Sequence, residues 1–277
     1  MKYLKRGIVV CCVVLLTLAS LTAQTTPIAS NAFEFMIHSK VLNEDRSCLI
    51  QLPENYYASE NDEAYPVLIL LDGAVFFKTT AGVVHFMSSA RNRNYFMPET
   101  IIVAIENVDR ERDFTVTKIK TKRKNTMGGG WSFLEFIEKE LVPYVDENYR
   151  TIDERTLVGH SLGGLLAVNA YIDENSIFNS FLAIDPSIWW DEQMMNDKVA
   201  AVTPASFRKK LYIASANRGE GNNGKNKGRH DTFYALLNRK SVEPLQAEID
   251  YFESEDHRSV PLVALYEGLR FLNNDAN

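Results

Sequence analysis

A serine set between two glycines, Gly159-His160-Ser161-Leu162-Gly163, is the stretch of this chain best suited to covalent chemistry. The spacing is G-x-S-x-G. Where such a stretch ends a strand and opens a helix, the serine occupies a strained turn that lifts its hydroxyl clear of the sheet, and side chains at the two glycines would crowd that turn. Five residues match the pattern easily by chance, so the surroundings must decide. Residues 156–159 supply the extended lead-in and residues 162–168, LGGLLAV, the helix, with Gly164 small enough to let that helix pack closely.

A serine hydroxyl is a poor nucleophile at neutral pH and needs a positioned base. With a serine on this kind of turn, the partners follow in the order serine, acid, histidine. Of the five histidines, His38 and His85 precede Ser161, His160 adjoins it, and His230 and His257 follow. His257 comes after the extended stretch EIDYFES and before an apolar stretch of helical period, which makes it the base; His230 reads as a loop or helix-start residue. The acid should lie beyond the strand at residues 210–216 and hold the imidazole by its second nitrogen. Glu220 is nearest that strand end. Asp231 is the alternative, although N-capping of a helix accounts for it equally, and a serine–histidine dyad without a carboxylate is the third reading. Attack on an ester creates an oxyanion that needs two preorganised N–H donors. The Leu162 amide supplies one and the Ala74 amide, in Asp72-Gly73-Ala74-Val75, the other; an ordinary strand-ending turn explains Asp72-Gly73 as well. No metal or organic cofactor is required.

These residues need a scaffold. Residues 33–42 and 46–53 read as a β-hairpin around Asn43-Glu44-Asp45. Continuous apolar runs at 66–73 and 100–105 suit strands buried on both faces, and shorter runs follow at 180–184, 210–216 and 247–252. Helical patterns occupy 131–148, 162–171, 232–238 and 260–272. Strands alternating with helices predict a mostly parallel central sheet with helices on both faces. Two segments read as loops: 217–228 (NRGEGNNGKNKG), and 112–130 with Lys118, Lys120, Lys122, Arg123 and Lys124. Both suit a solvated surface, and their positive charge would attract an anionic substrate if they border the site.

The first 23 residues carry Lys2, Lys5 and Arg6 before a short apolar run and small residues, the pattern of a secretory signal peptide cut after Ala23. An uncleaved anchor is the alternative, but a membrane-spanning helix needs about 20 apolar residues. Cleavage leaves residues 24–277 as a single catalytic domain, exported to the periplasm or medium, and takes the formal charge from −6 to −9. An acidic balance argues against nucleic-acid binding. Cys48 is then the one remaining cysteine, so no intramolecular disulfide forms, and it reads as a small buried hydrophobe.

With these parts in place, the chain resembles the putative-esterase branch of the α/β-hydrolases, which holds esterase D, the antigen 85 mycolyltransferases and the ferric enterobactin esterases; the nearest likeness is to periplasmic siderophore-esterase-like serine hydrolases. The likeness rests on YPVLILLDG, IVAIENVDRERDF, FLEFIEKELVPYVDENYR, TLVGHSLGG, FLAIDPSIWW and HRSVPLVALYEGLRFL, in that order. It implies an α/β-hydrolase fold, Ser161 and His257 as nucleophile and base, Leu162 and Ala74 as oxyanion donors, and a segment with Arg110, Arg112 and Asp113 bordering the substrate, Arg110 as a binding residue. The chain departs from the branch at Thr115-Val116, where Thr-Pro is usual, and after Ala216, where no acid signature appears. The expected activity is hydrolysis of a small, siderophore-like ester through an acyl-enzyme, with no obligate protein partner. The alternatives are acyl transfer by the same residues and a non-catalytic binding protein that kept the fold.

Overall fold

The computed structural model describes residues 31–274, apart from positions 59, 61, 91–92, 123, 174–175, 203–206, 220 and 222 and the side chains of 223 and 224. The leader at 1–23 therefore lies outside the described residues. An eight-stranded sheet runs through the molecule in the order β1-β2-β4-β3-β5-β6-β7-β8. Its strands are β1 (Ala32–Ser39), β2 (Glu44–Gln51), β3 (Tyr65–Leu70), β4 (Ile101–Ile105), β5 (Thr151–His160), β6 (Ser180–Ile184), β7 (Lys210–Ala216) and β8 (Ala247–Phe252). The hairpin β1–β2 is antiparallel and joins β4 antiparallel; every other pairing is parallel.

Successive side chains of a strand point to opposite faces, and the central strands are apolar on both. Val67, Ile69, Ile101, Val103 and Ile105 enter one core, while Leu68, Leu70, Ile102 and Ala104 enter the other. Helices cover both faces. They are α1 (Gly73–Ser88), α2 (Arg110–Phe114), α3 (Gly130–Phe136), α4 (Val142–Asn148), α5 (Leu162–Tyr171), α6 (Trp190–Ala201), α7 (Asn223–Lys240) and α8 (Val260–Leu272), with a π-helical turn at Ile137–Leu141 between α3 and α4. Every residue of α5 from Gly163 to Tyr171 is buried. Helix α8 lies so close to the sheet that a Cβ on Gly268 would meet Leu182 Cδ1 at 2.5 Å.

The predicted strands and the helices α5 and α8 appear where the hydrophobic period put them. Three helices were not anticipated: α1, α2 and α6. The stretch 217–228, expected to be loop throughout, becomes helical from Asn223, so α7 starts well before the predicted 232. Burial explains this. Asn226 and His230, one turn apart, both face inward, and tertiary packing outweighs the poor helix propensity of Asn and Gly. Among the described residues, no helix is long and apolar enough to cross a membrane. Cys48 is fully buried, and desolvation pushes its thiol up to about 12, so it packs as a hydrophobe.

Candidate active site

Three residues other than glycine sit in left-handed backbone at the carboxyl ends of the three adjacent strands β3, β5 and β6: Asp72 (φ 56°), Ser161 (φ 60°) and Asp185 (φ 40°). Such conformations cost roughly 1–3 kcal/mol each and persist only where the surroundings over-determine them.

At Ser161, the sheet provides that constraint. The Ser161 amide donates to the Ile184 carbonyl at 2.9 Å, and the Ser161 carbonyl accepts from the Ser187 amide at 3.0 Å and the Leu165 amide at 2.9 Å. The serine backbone is thus fastened to the end of β6 and to the first turn of α5. The turn is tight enough that a Cβ on Gly159 would overlap the main chain of Gly163. Gly164 fits against Pro186 and the Ile184 carbonyl, with its hypothetical Cβ 3.1–3.2 Å from both. The half-buried Ser161 hydroxyl lies 3.4 Å from Ser187 Oγ. Leu162 opens α5, where first-turn N–H groups have no partner within the helix.

His257 lies between β8 and α8 on a turn held by Asp256, whose Oδ1 accepts from the Arg258 amide at 2.7 Å and the Ser259 amide at 3.1 Å. Its Nδ1 is 2.6 Å from Asp185 Oδ2. Asp185 is fully buried. Its Oδ1 accepts from the Ala216 amide (3.1 Å) and Asn226 Nδ2 (2.8 Å), and the Arg218 guanidinium reaches Oδ2 at 2.7 Å. Burial by itself would raise this carboxyl, but the His257 hydrogen bond, the Arg218 charge and the Ala216 amide outweigh it and hold Asp185 at about 2.

Among the described residues the carboxylate on His257 is therefore Asp185, at the end of β6, whereas the sequence reading placed the acid beyond β7. Glu220 lies outside the described residues. Asp231 is exposed on α7 and pairs with Lys227 at 2.7 Å, one helical turn back. His230, read as a loop or helix-start residue, is fully buried within α7. Its ring nitrogens meet Ser215 Oγ and the Pro186 carbonyl, each at 2.8 Å, which ties the residue after Asp185 to β7. Asp185 stood in plain view within the stretch FLAIDPSIWW; the usable signal was a carboxylate ending an apolar strand, between serine and histidine in chain order.

Ala74 is exposed in the first turn of α1, one residue beyond Gly73, whose Cβ position falls 2.9 Å from the Ile105 backbone. The turn is fixed by Asp72. Its carboxylate receives Arg110 Nε at 2.7 Å, Arg110 Nη2 at 2.9 Å and Asn107 Nδ2 at 2.5 Å. Arg110 Nη2 also reaches the His160 carbonyl at 3.2 Å, joining the Ala74 turn to the serine turn. Arg110, expected to bind substrate, thus spends Nε and Nη2 on the protein itself. Arg112 and Asp113 face away, toward the hairpin: Arg112 forks onto Glu44 at 2.9 and 2.6 Å, and buried Asp113 pairs with buried Arg46. The lysine-rich segment begins beside the site, because Thr117 Oγ1 accepts from Trp190 Nε1 at 3.2 Å. Its lysines at 118, 120, 122 and 124 are all exposed, as is Trp189.

Comparison with known proteins agrees with this architecture. Residues 39–258 match the family described as Putative esterase. The chain is 26% identical over 226 residues to the ferri-bacillibactin esterase BesA of Bacillus subtilis, covering 75% of this chain and 78% of that protein. An IroE-like serine hydrolase from Shewanella oneidensis superposes with a TM-score of 0.77 at 32% identity, over 88% of this chain and 80% of the other. The BES protein of Bacillus cereus follows with a TM-score of 0.72 at 25% identity, over 92% and 99% of the two chains. The chain is an enzyme, a carboxylic ester hydrolase of α/β-hydrolase fold that belongs to the Putative esterase family.

Proposed function

We propose that the chain is a serine hydrolase that cleaves a small ester through an acyl-enzyme, with Ser161 as nucleophile, His257 as base and Asp185 as the acid. The observation that carries this reading is the 2.6 Å contact between His257 Nδ1 and a buried, ionised Asp185, in a chain whose one G-x-S-x-G serine sits in strained backbone on the neighbouring strand. With Nδ1 committed to Asp185, the imidazole presents Nε2 as the proton acceptor. Ser161 Oγ attacks the ester carbonyl while His257 takes its proton. The tetrahedral oxyanion is met by the Leu162 and Ala74 amides, and His257 returns the proton to the leaving alcohol. Water then attacks the acyl-enzyme by the same route, releasing the acid and regenerating Ser161. A fluorophosphonate probe should label Ser161. Resistance of the wild type to the probe, with ester cleavage intact in Ser161→Ala, would sink the assignment.

The substrate we infer is a siderophore-like ester carrying negative charge. The relatives named as siderophore esterases support this, as do the exposed lysines at 118–124 and the exposed indole of Trp189 two residues from Ser187. Cationic groups at a site raise the local concentration of an anionic ligand, and an indole face suits an aromatic acyl group. Ferric and iron-free trilactones, assayed beside simple p-nitrophenyl esters, decide the matter; turnover of the simple esters alone would rule the siderophore out. Export follows from the leader at 1–23, and N-terminal sequencing of the mature protein should begin at Gln24.

A further inference from the structure

Asp185 Oδ2 has two nitrogen partners at once. His257 Nδ1 approaches it to 2.6 Å and Arg218 Nε to 2.7 Å, both on the same oxygen. The other oxygen is filled by the Ala216 amide and Asn226. Arg218 stands just beyond β7, on a segment secured to the strand that leads to His257: the Asn217 amide donates to the Glu255 carbonyl at 2.8 Å and Asn217 Nδ2 to the Glu253 carbonyl at 2.9 Å. Its side chain is a quarter exposed, while Asp185 is fully buried.

We propose that Arg218 is a positioning and tuning residue that shares the Asp185 carboxylate with His257 and thereby sets how readily the base accepts a proton. The proposal rests on the triad reading above. A carboxylate stabilises the imidazolium formed in the transition state, and a fixed guanidinium on the same oxygen offsets part of that stabilisation. Arg218 thus keeps the resting imidazole neutral, and active, to lower pH than Asp185 alone would allow. The other charged or titratable groups around the pair are His160 from the end of β5, His230 from α7 with Asp231 behind it, the Asp72–Arg110 pair from the β3–α1 turn, and Asp256 and Arg258 beside the base. His160 and His230 are both held neutral by burial, the first with its value at about 4, and Asp72 is matched by Arg110. Of these groups, Arg218 is the cation in direct contact with Asp185.

The test is the pH dependence of kcat/KM for p-nitrophenyl acetate, and of fluorophosphonate labelling, in the full chain and in Arg218→Gln and Arg218→Lys. Without the guanidinium, the protonated imidazole is better stabilised. The acid limb of both profiles should therefore move up by roughly one pH unit in R218Q, and stay near the wild-type position in R218K. A merely structural role would lower the plateau and leave the limb in place, and that result overturns the proposal. Arg218→Met repeats the measurement if R218Q does not fold. Failure of the wild type to label at Ser161 would instead overturn the triad reading.

Discussion

His160 Nε2 lies 2.8 Å from the main-chain carbonyl of His257, and the two rings pack with centroids 4.3 Å apart. The residue beside Ser161 therefore holds the loop that carries His257. Phe76 also packs against the His160 ring edge-on, at 5.6 Å.

Burial, and then the charge of His257, push the His160 imidazole from 6.5 down to about 4. Because the folded value lies below the unfolded one, the stabilisation is complete above pH 6.5 and is lost as pH falls through 4. Calorimetry across that window should show a falling thermal midpoint in the wild type. The fall should be shallower in His160→Gln, which keeps a donor but cannot charge.

Asp185→Asn should lower kcat by roughly 10³- to 10⁴-fold, because the amide cannot both hold the Nδ1–H tautomer and stabilise the imidazolium. KM should change little, since Asp185 is sealed from the surface. Steady-state kinetics at pH 8 measure both parameters. Asp185 is held at about 2, so its own protonation should leave the profile untouched above pH 4.

Asp231→Ala provides the contrast. The residue is exposed and bonded to Lys227, and an exposed i,i+4 pair contributes about 0.3–0.5 kcal/mol. Activity should match the wild type, with a thermal midpoint lower by a degree or two at most. A large loss of kcat would return Asp231 to contention as the acid.

Arg110→Met should loosen the joint between the Ala74 and Leu162 amides. Arg110 bridges Asp72 and the His160 carbonyl, which lie two residues before Ala74 and Leu162. Small misplacements of preorganised groups cost rate rather than binding, so kcat should fall roughly ten- to a hundredfold. If the residue instead bound substrate directly, KM would carry most of the loss. Stopped-flow measurement of acylation separates the two outcomes.

The glycine-rich turn at Ser161 and the place of His257 between a strand and a helix were legible in the sequence because local rules govern them. Gly159 is required wherever the serine turn forms, and an extended run followed by His257 and a helical period marks one station in the fold. The strands were legible for a similar reason: runs such as VLILL are apolar on both faces. The Asp185–His257 contact was missed because it depends on where a side chain points across two strands, and chain order alone cannot separate Asp185 from Asp231. The first turns of α7, ahead of the predicted helix at 232–238, were missed for the opposite cause. Its first residues favour loops locally, and what makes them helical is the burial of Asn226 and His230 beneath β6 and β7, a tertiary effect with no local signature.

On the triad proposed above, an acid at the end of β6 leaves the segment after β7 holding the proposed modulator, Arg218, instead of an indispensable group. Nucleophile, base and acid can then stay unchanged while that outer segment drifts in length and composition under selection. A change at position 218 would re-set the acidity range in which the enzyme works without rebuilding its chemistry, so divergence among descendants of this scaffold in acid or alkaline habitats should collect there first.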